Sequence, residues 1–339
     1  MKLRQLRLFL AVVDQGSLHG AARVLGLTPP AITAAIRELE KSLGVPLFIR
    51  STNGVTLTDY GAVFQRRARS LVGDIRRTQA ELLAMRDGDN GEVSITASPA
   101  VASALLPQAF ATFRSSMPNS AVAFRESSLP AALNSLRNGE TDFAVANYFP
   151  GFQWPDFVTH EDILSLPIFL VGRQGHPLAH ARSLAQLLDL EWLITGDAGD
   201  DTDSAFNAYF EQQGLATPRR ITRCQSLFHA ITLLKTTDII TVSSEPTFRV
   251  ELEMHKIGKL QISETLPDTI VATVVRRDRP LTAVAKQFLS CIEDAARAHA
   301  LSRSETVTPP NEVMRPVAGP SSINANASAS NPGCDDTFL

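Results

Sequence analysis

Between Asp59 and Met85 the sequence sets Phe64, Ala68, Leu71, Ile75, Thr78, Leu82 and Met85 at alternating steps of four and three residues. That is the repeat of a helix whose seam faces another helix. At ~1.5 Å per residue the seam runs roughly 30 Å, too far for a small head to bury. The stretch therefore predicts a head before it, a larger body after it, and a helix packed along it. A second copy of the same helix is the simplest partner; packing on the chain's own body is the alternative.

In the piece before it, Leu3, Leu6, Phe9, Leu10 and Val13 fall at helical spacing. No small-residue cleavage site follows, so a helix is read rather than a signal peptide, and a cytoplasmic chain is expected. Gly16 and Ser17 break that helix, and Ser17 caps a second, Leu18 to Leu25. Gly26-Leu27 make a turn, and Thr28 opens a third helix to Glu40. Thr28 suits the N-cap through its hydroxyl, and Pro29 suits the first helical position. Ile32, Ile36 and Leu39 form a buried stripe, while Pro30, Thr33, Ala34 and Arg37 make a small, polar and basic opposite face. Such a helix fits a DNA major groove; taken alone, it fits a helical bundle equally well.

The neighbouring segments favour the groove. Helix, short glycine turn and helix form a helix-turn-helix arrangement. Leu43, Val45, Leu47 and Ile49 then alternate as a strand would, Ser51 to Gly54 is turn chemistry, and Val55 to Leu57 returns as a second strand. This predicts a wing with Arg50 at its base and Asn53 near its tip. The candidate DNA contacts are Ser17, Thr28, Pro29, Pro30, Thr33, Ala34, Arg37, Arg50 and Asn53. Thr33 and Pro30 are read as base contacts, and Ser17, Arg37 and Arg50 as phosphate contacts. Charge points the same way. Residues 1–87 hold 13 Lys and Arg against 7 Asp and Glu, a net of +6, whereas residues 88–339 hold 19 against 28, a net of −9. A basic head on an acidic body suits a polyanion partner.

After Asp87-Gly88-Asp89-Asn90-Gly91, read as a hinge, the period changes. Strands are expected at Val93–Thr96, Val122–Glu126, Asp142–Ala146 and 157–161, with helices at Pro99–Ser116 and Leu129–Asn138. A second unit follows, with strands at Pro167–Gly172, Trp192–Thr195, Ile221–Gln225 and Ile239–Val242 and helices at Thr202–Gln213 and Leu227–Leu234. Ile270–Arg276 returns as a strand, and Leu281–His299 closes as a helix. This pattern predicts two α/β lobes, each on a mostly parallel sheet, with a cleft between them. Residues 302–339, rich in Ser, Asn, Ala and Pro, are expected to be disordered.

Enzyme chemistry finds little support. The sequence has no GxSxG elbow, phosphate loop, GxGxxG or HExxH, and no metal or cofactor is expected. Cys224, Cys291 and Cys334 are scattered, without metal or disulfide spacing. Asp197, Asp200, Asp201 and Asp203 read as solvated acids at a helix start, and Pro177 argues against His176 and His180 as a helical ligand pair. No run is long and apolar enough for a membrane span. A solute-binding protein without a regulatory role is the alternative reading of the body, but such a protein would not carry the basic head.

The whole arrangement resembles the LysR-type transcriptional regulators over residues 1 to about 300. The resemblance rests on Leu6 and Phe9, Gly16-Ser17, Ala21-Ala22, Leu25 with Leu27, Pro30 to Thr33, Ile36 to Glu40, and Leu43-Gly44. It continues through Leu47-Phe48 with Arg50, Leu57-Thr58 with Gly61, and Gly175 to Leu178. It implies a winged helix-turn-helix over 1–58 and a linker and dimerisation helix over 59–87. It implies a periplasmic-binding-protein-like effector domain over 88–301, with lobe I at 91–165 and 268–301 and lobe II at 166–267. The implied partners are operator DNA, a small-molecule effector, and copies of the chain as a homodimer or a homotetramer. Pro29, Ala34 and Asn53 stand where the family often has Gln, Arg or Gln, and Arg, which implies sparse base readout.

The resemblance also implies an effector between the lobes. Ser98 and Pro99 end a strand and begin a helix, where an anion is favoured. The candidate effector residues are Ser98, Pro99, Ala100, Asn147, Phe149, Thr195, Ser226, Phe228 and Ser243. Ala97 to Ala100 resembles a family branch that answers to aromatic acids or sulfonates, so a small aromatic carboxylate or sulfonate is expected.

Overall fold

The structure is a computed structural model that describes residues 1–51, 54–87, 91–195, 201–254 and 256–306. The expected hinge at 88–90, Asn53, Asp197, Asp200, and residues 307–339 with Cys334 lie outside them. The head comprises α1 (Leu3–Gln15), α2 (Leu18–Leu25), α3 (Pro29–Leu43), β1 (Phe48–Ser51) and β2 (Gly54–Leu57). Phe9 sits at its centre with Leu6, Ile32, Ile36 and Leu39, all buried. The Ser17 hydroxyl accepts the Gly20 N–H at 3.0 Å and starts α2.

Three local expectations are corrected. Thr28 takes the N-cap backbone position, but its hydroxyl makes no cap bond. Pro30 at the second helical position removes one of the two donors such a cap can use, which leaves only the Ala31 N–H. The alternation from Leu43 to Ile49 is not one strand. Leu43 ends α3, Gly44 stops it in the left-handed conformation at φ 73°, and β1 begins only at Phe48. The seam of α4 (Asp59–Asp87) does not face a partner along its whole length. Ala68 is fully buried in the head core, Phe64 packs beside it, and the Phe64 ring meets Phe9 edge-on at 4.8 Å. Head and helix share those two positions within one chain, because α1 lies along the start of α4. Of the seam residues Leu71 and Leu82 are exposed, and off the seam Tyr60 and Val63 are exposed too.

The body runs through β3 (Glu92–Ala97), α5 (Pro99–Ala104), α6 (Leu106–Ser116), β4 (Ala121–Glu126), α7 (Leu129–Asn138), β5 (Phe143–Tyr148) and β6 (Val158–Leu166). It crosses over to β7 (Ile168–Arg173), β8 (Glu191–Thr195), α8 (Asp201–Gln212), β9 (Arg220–Cys224), α9 (Leu227–Thr236), β10 (Ile240–Ser244), α10 (Glu245–Glu253) and β11 (Ile257–Leu260). It then returns as β12 (Thr269–Arg276) and α11 (Ala283–Thr306), which passes beyond the expected end at His299. The expected single helix from Pro99 to Ser116 is two, broken at Leu105, with Pro107 in the first turn of the second. A proline there removes a helical donor and crowds the preceding turn.

The two sheets run β4-β3-β5-β12-β6 and β11-β7-β10-β8-β9. In each, four of the five strands run the same way, as expected, and one return strand is reversed. Each has two parallel pairings, and the return strands β12 and β7 pair antiparallel on both of their sides. The layout sets the geometry of the seam between lobes. β6 runs parallel to β5, and β7 enters beside the end of β10. β11 runs parallel to β10, and β12 enters beside the end of β5. Both crossings thus leave the carboxyl edge of one sheet and enter that of the other, so the two carboxyl edges meet.

Candidate functional sites

On α3, Ile32, Ile36 and Leu39 are buried, which turns Thr28, Pro30, Ala34 and Arg37 outward, with Thr33 and Pro29 half-buried. Lys41 is exposed one turn beyond Arg37 on that face, a cation the sequence reading passed over although the spacing shows it. The wing is anchored to this helix. Glu40 Oε1 accepts the N–H groups of Leu47 at 2.8 Å and Phe48 at 3.2 Å, while Arg50 lies 3.9 Å from the same carboxylate. The wing also touches the turn before α2, where the Val55 N–H donates to Gly16 O at 3.0 Å. The structure therefore brings the third helix, the Ser17 turn and the Arg50 strand onto one folded head.

The second site lies where the carboxyl edges meet. Ser98 follows β3 and precedes α5, and its N–H donates to Val145 O at 3.0 Å. Its backbone has N-cap geometry, but its hydroxyl makes no cap bond. Ser98 is 3% exposed and Thr96 is 1% exposed, and both hydroxyls are without a hydrogen-bond partner among the described residues. Two residues apart on an extended chain, they share one face of the sheet. Thr269, which opens β12 at the same edge, also has a buried, unpartnered hydroxyl. Leaving a buried hydroxyl unpaired costs about 1–3 kcal/mol, so three at one edge are notable. Thr96 was missed because mid-strand it looks like an ordinary β-former.

The other effector candidates are distributed around this edge. Pro99 is half-buried and Ala100 buried at the start of α5, and α5 packs against α10 of the opposite lobe. Asn147 and Phe149 are half-buried at the end of β5, and Thr195 is exposed at the end of β8. Ser226 caps α9 by accepting the His229 N–H at 3.4 Å, which occupies its oxygen structurally. Phe228 beside it is 75% exposed, and Ser243 lies in β10 opposite Phe169. His176 is structural. Its Nδ1 accepts the Leu178 N–H at 3.0 Å, which leaves the proton on Nε2 to donate to Asp238 O at 3.1 Å. Among the described residues no group of His, Cys, Asp or Glu is placed to hold a metal, and no helix is long and apolar enough to cross a membrane.

Comparison with known proteins covers both parts of the chain. The family description "Bacterial regulatory helix-turn-helix protein, lysR family" matches residues 3–62, and "LysR substrate binding domain" matches residues 86–297. The chain belongs to the LysR family. It is a DNA-binding transcriptional regulator with an effector-binding domain, not an enzyme. The HTH-type transcriptional regulator GbpR of Azospirillum brasilense is 27% identical over 299 residues, covering 87% of each chain. The LysR family regulator CbnR has the same fold, with a TM-score of 0.65 at 21% identity over 87% of this chain and 99% of that one. Full-length CbnR in complex with its target DNA aligns with a TM-score of 0.63 over 87% of this chain and all of that one. These LysR structures share the head, long helix and two-lobed body described above.

Proposed function

We propose that this LysR regulator acts in the cytoplasm, reads an operator through α3, and is switched by a small carboxylate or sulfonate held between its lobes. The buried, unpartnered hydroxyls of Thr96 and Ser98 carry the ligand reading. Hydroxyl O–H groups donate readily to an anion, and the start of α5 adds backbone N–H groups. Phe149, after β5 of one lobe, and Phe228, in the first turn of α9 of the other, suit an aromatic ring. On DNA, Thr33 and Pro30 meet base edges, while Ser17, Arg37 and Arg50 hold phosphates. The head stands on α4, and its exposed Tyr60, Val63, Leu71 and Leu82 suit a second copy; pairs of such dimers make a tetramer. Two heads fit a palindromic site, and lobe closure would alter their spacing or angle and so the bend of the DNA. DNase footprinting on the chain's own upstream region tests this. A protected palindrome whose extent changes with an aromatic acid supports the reading, and protection insensitive to every acid in a broad panel overturns its effector half.

A further inference from the structure

The hydroxyls of Thr96 and Ser98 do not by themselves select an anion. A hydroxyl both donates and accepts, so it serves a carboxylate or the matching neutral amide. Selection by charge needs a cation within reach, and the strands flanking β3 differ in what they offer. On one side β5 places Ala144 beside Thr96, with Ala146 two residues further on. Both alanines are fully buried, and neither has a polar side chain. On the other side β4 places Arg125 beside Thr96.

The alternation of β4 fixes the face on which Arg125 stands. The Phe124 ring meets Phe110 of α6 and Phe288 of α11, each at 5.8 Å. Its neighbour Arg125 therefore turns to the opposite face, the one that Ser94 and Thr96 share. Glu126, the adjacent acid, turns away from Arg125 for the same reason. One strand spacing, ~4.8 Å, separates the backbones of Arg125 and Thr96. Ser98 lies two residues, roughly 7 Å, nearer the cleft, a step that an extended arginine side chain covers.

Arg125 is exposed, and among the described residues it makes no hydrogen bond, ion pair or ring contact. The other described arginines of lobe I all have such partners. Arg114 donates to the carbonyls of Pro118 and Ser120, Arg137 lies over the Phe157 ring, and Arg276 pairs with Asp278. Arg277 donates to Val158 O, Arg279 pairs with Asp74, and Arg297 pairs with Asp294. The arginine without a partner is thus the one beside the buried, unpartnered Thr96 hydroxyl.

We propose that Arg125 makes the effector site select an anion, its guanidinium pairing with the acid group that the Thr96 and Ser98 hydroxyls hold. This rests on the effector reading above and adds what separates charged from neutral ligands. The guanidinium fork offers two parallel N–H groups to two oxygens of one carboxylate or sulfonate, and the hydroxyls donate to the remaining lone pairs. A neutral amide of the same shape keeps the hydroxyl bonds and loses the fork.

Isothermal titration of the full chain tests this with benzoate, salicylate and benzenesulfonate, each beside its primary amide or sulfonamide. The proteins are wild type, Arg125→Gln, Arg125→Lys and Ser98→Ala. Wild type is expected to bind at least one of the acids about tenfold or more tightly than its amide, as a hydrogen-bonded charge pair provides. Arg125→Gln is expected to bring that acid down to the affinity of the amide, leaving the amide and the unfolding midpoint unchanged. Arg125→Lys, which keeps the charge without the fork, is expected to retain part of the preference. Ser98→Ala is expected to weaken acid and amide alike. An acid that Ser98→Ala weakens and Arg125→Gln does not overturns the role of Arg125 and leaves the effector reading standing. So does an equal loss of acid and amide in Arg125→Gln, or a wild type that binds both equally. No heat from any acid overturns the effector reading, and the assignment of Arg125 with it.

Discussion

Glu40 Oε1, one turn from the end of α3, accepts the Leu47 N–H at 2.8 Å and so fixes the wing to the third helix of the head. The Phe48 N–H reaches the same oxygen at 3.2 Å. Glu40→Ala strands two donors and should lower the stability of the head by about 1–3 kcal/mol. It should also weaken operator binding, although it removes a negative charge near the DNA. Thermal unfolding and gel shift measure the two effects. A variant that binds more tightly, as charge alone predicts, refutes the anchoring role.

Arg37 and Thr33 lie on one face but are assigned different work. Arg37→Ala should weaken binding to all sequences alike and lower the salt slope of log K by about 1. Thr33→Ala should instead cost about 1–3 kcal/mol on the true operator and little on a scrambled one. Titrations at several salt concentrations with both DNAs separate the two; a Thr33→Ala protein that discriminates like wild type removes Thr33 from base contact.

The exposed and buried residues of α4 should part company on substitution. Leu82, 61% exposed, should tolerate Glu in the monomer fold, yet Leu82→Glu should lower the particle mass seen by light scattering. Phe64→Ala removes the edge-on partner of Phe9 and should destabilise the head by about 3 kcal/mol, with particle mass retained in the folded protein. A reversed pattern contradicts the division of the seam.

Burial and then the nearby Glu161 push the Glu293 carboxyl of α11 above its ordinary range. A folded acid with a raised value is most favourable while protonated, and its contribution is lost as pH rises through that value. Glu293→Gln should therefore raise the unfolding midpoint at pH 7, and the gain should vanish in acid, where the native glutamate is protonated. Differential scanning calorimetry at pH 4 and pH 7 checks the sign.

What the sequence reveals follows from range. The stripe Ile32, Ile36 and Leu39, the Ser17 cap and the strands of both lobes are local patterns, and they stand close to where they were read. The misreadings are where distant partners decide. Phe64 and Ala68 fit a heptad whether they face a second chain or Phe9, and only the path of α1 settles which. β7 and β12 have the buried pattern of parallel strands, and their reversal comes from the crossings. α10 was missed because Pro246 and the break at Phe248 erase its period. Nothing local in the sequence names Glu140, Glu92 or Asp142 as the partners of Arg69, Arg76 and Arg77. At the effector edge, Ser98 was legible from its place before Pro99, whereas Thr96 needed the packed structure to show its hydroxyl unpaired.

The most direct measurement is isothermal titration of the full chain with a panel of small aromatic carboxylates and sulfonates, repeated on Ser98→Ala and Thr96→Val. The account predicts saturable heat with at least one acid, affinity reduced about tenfold or more in each variant by the loss of a hydrogen bond to a charged group, and unfolding midpoints no lower than wild type, since each substitution removes a stranded hydroxyl. Absence of heat from every acid, or undiminished affinity in both variants, would contradict it.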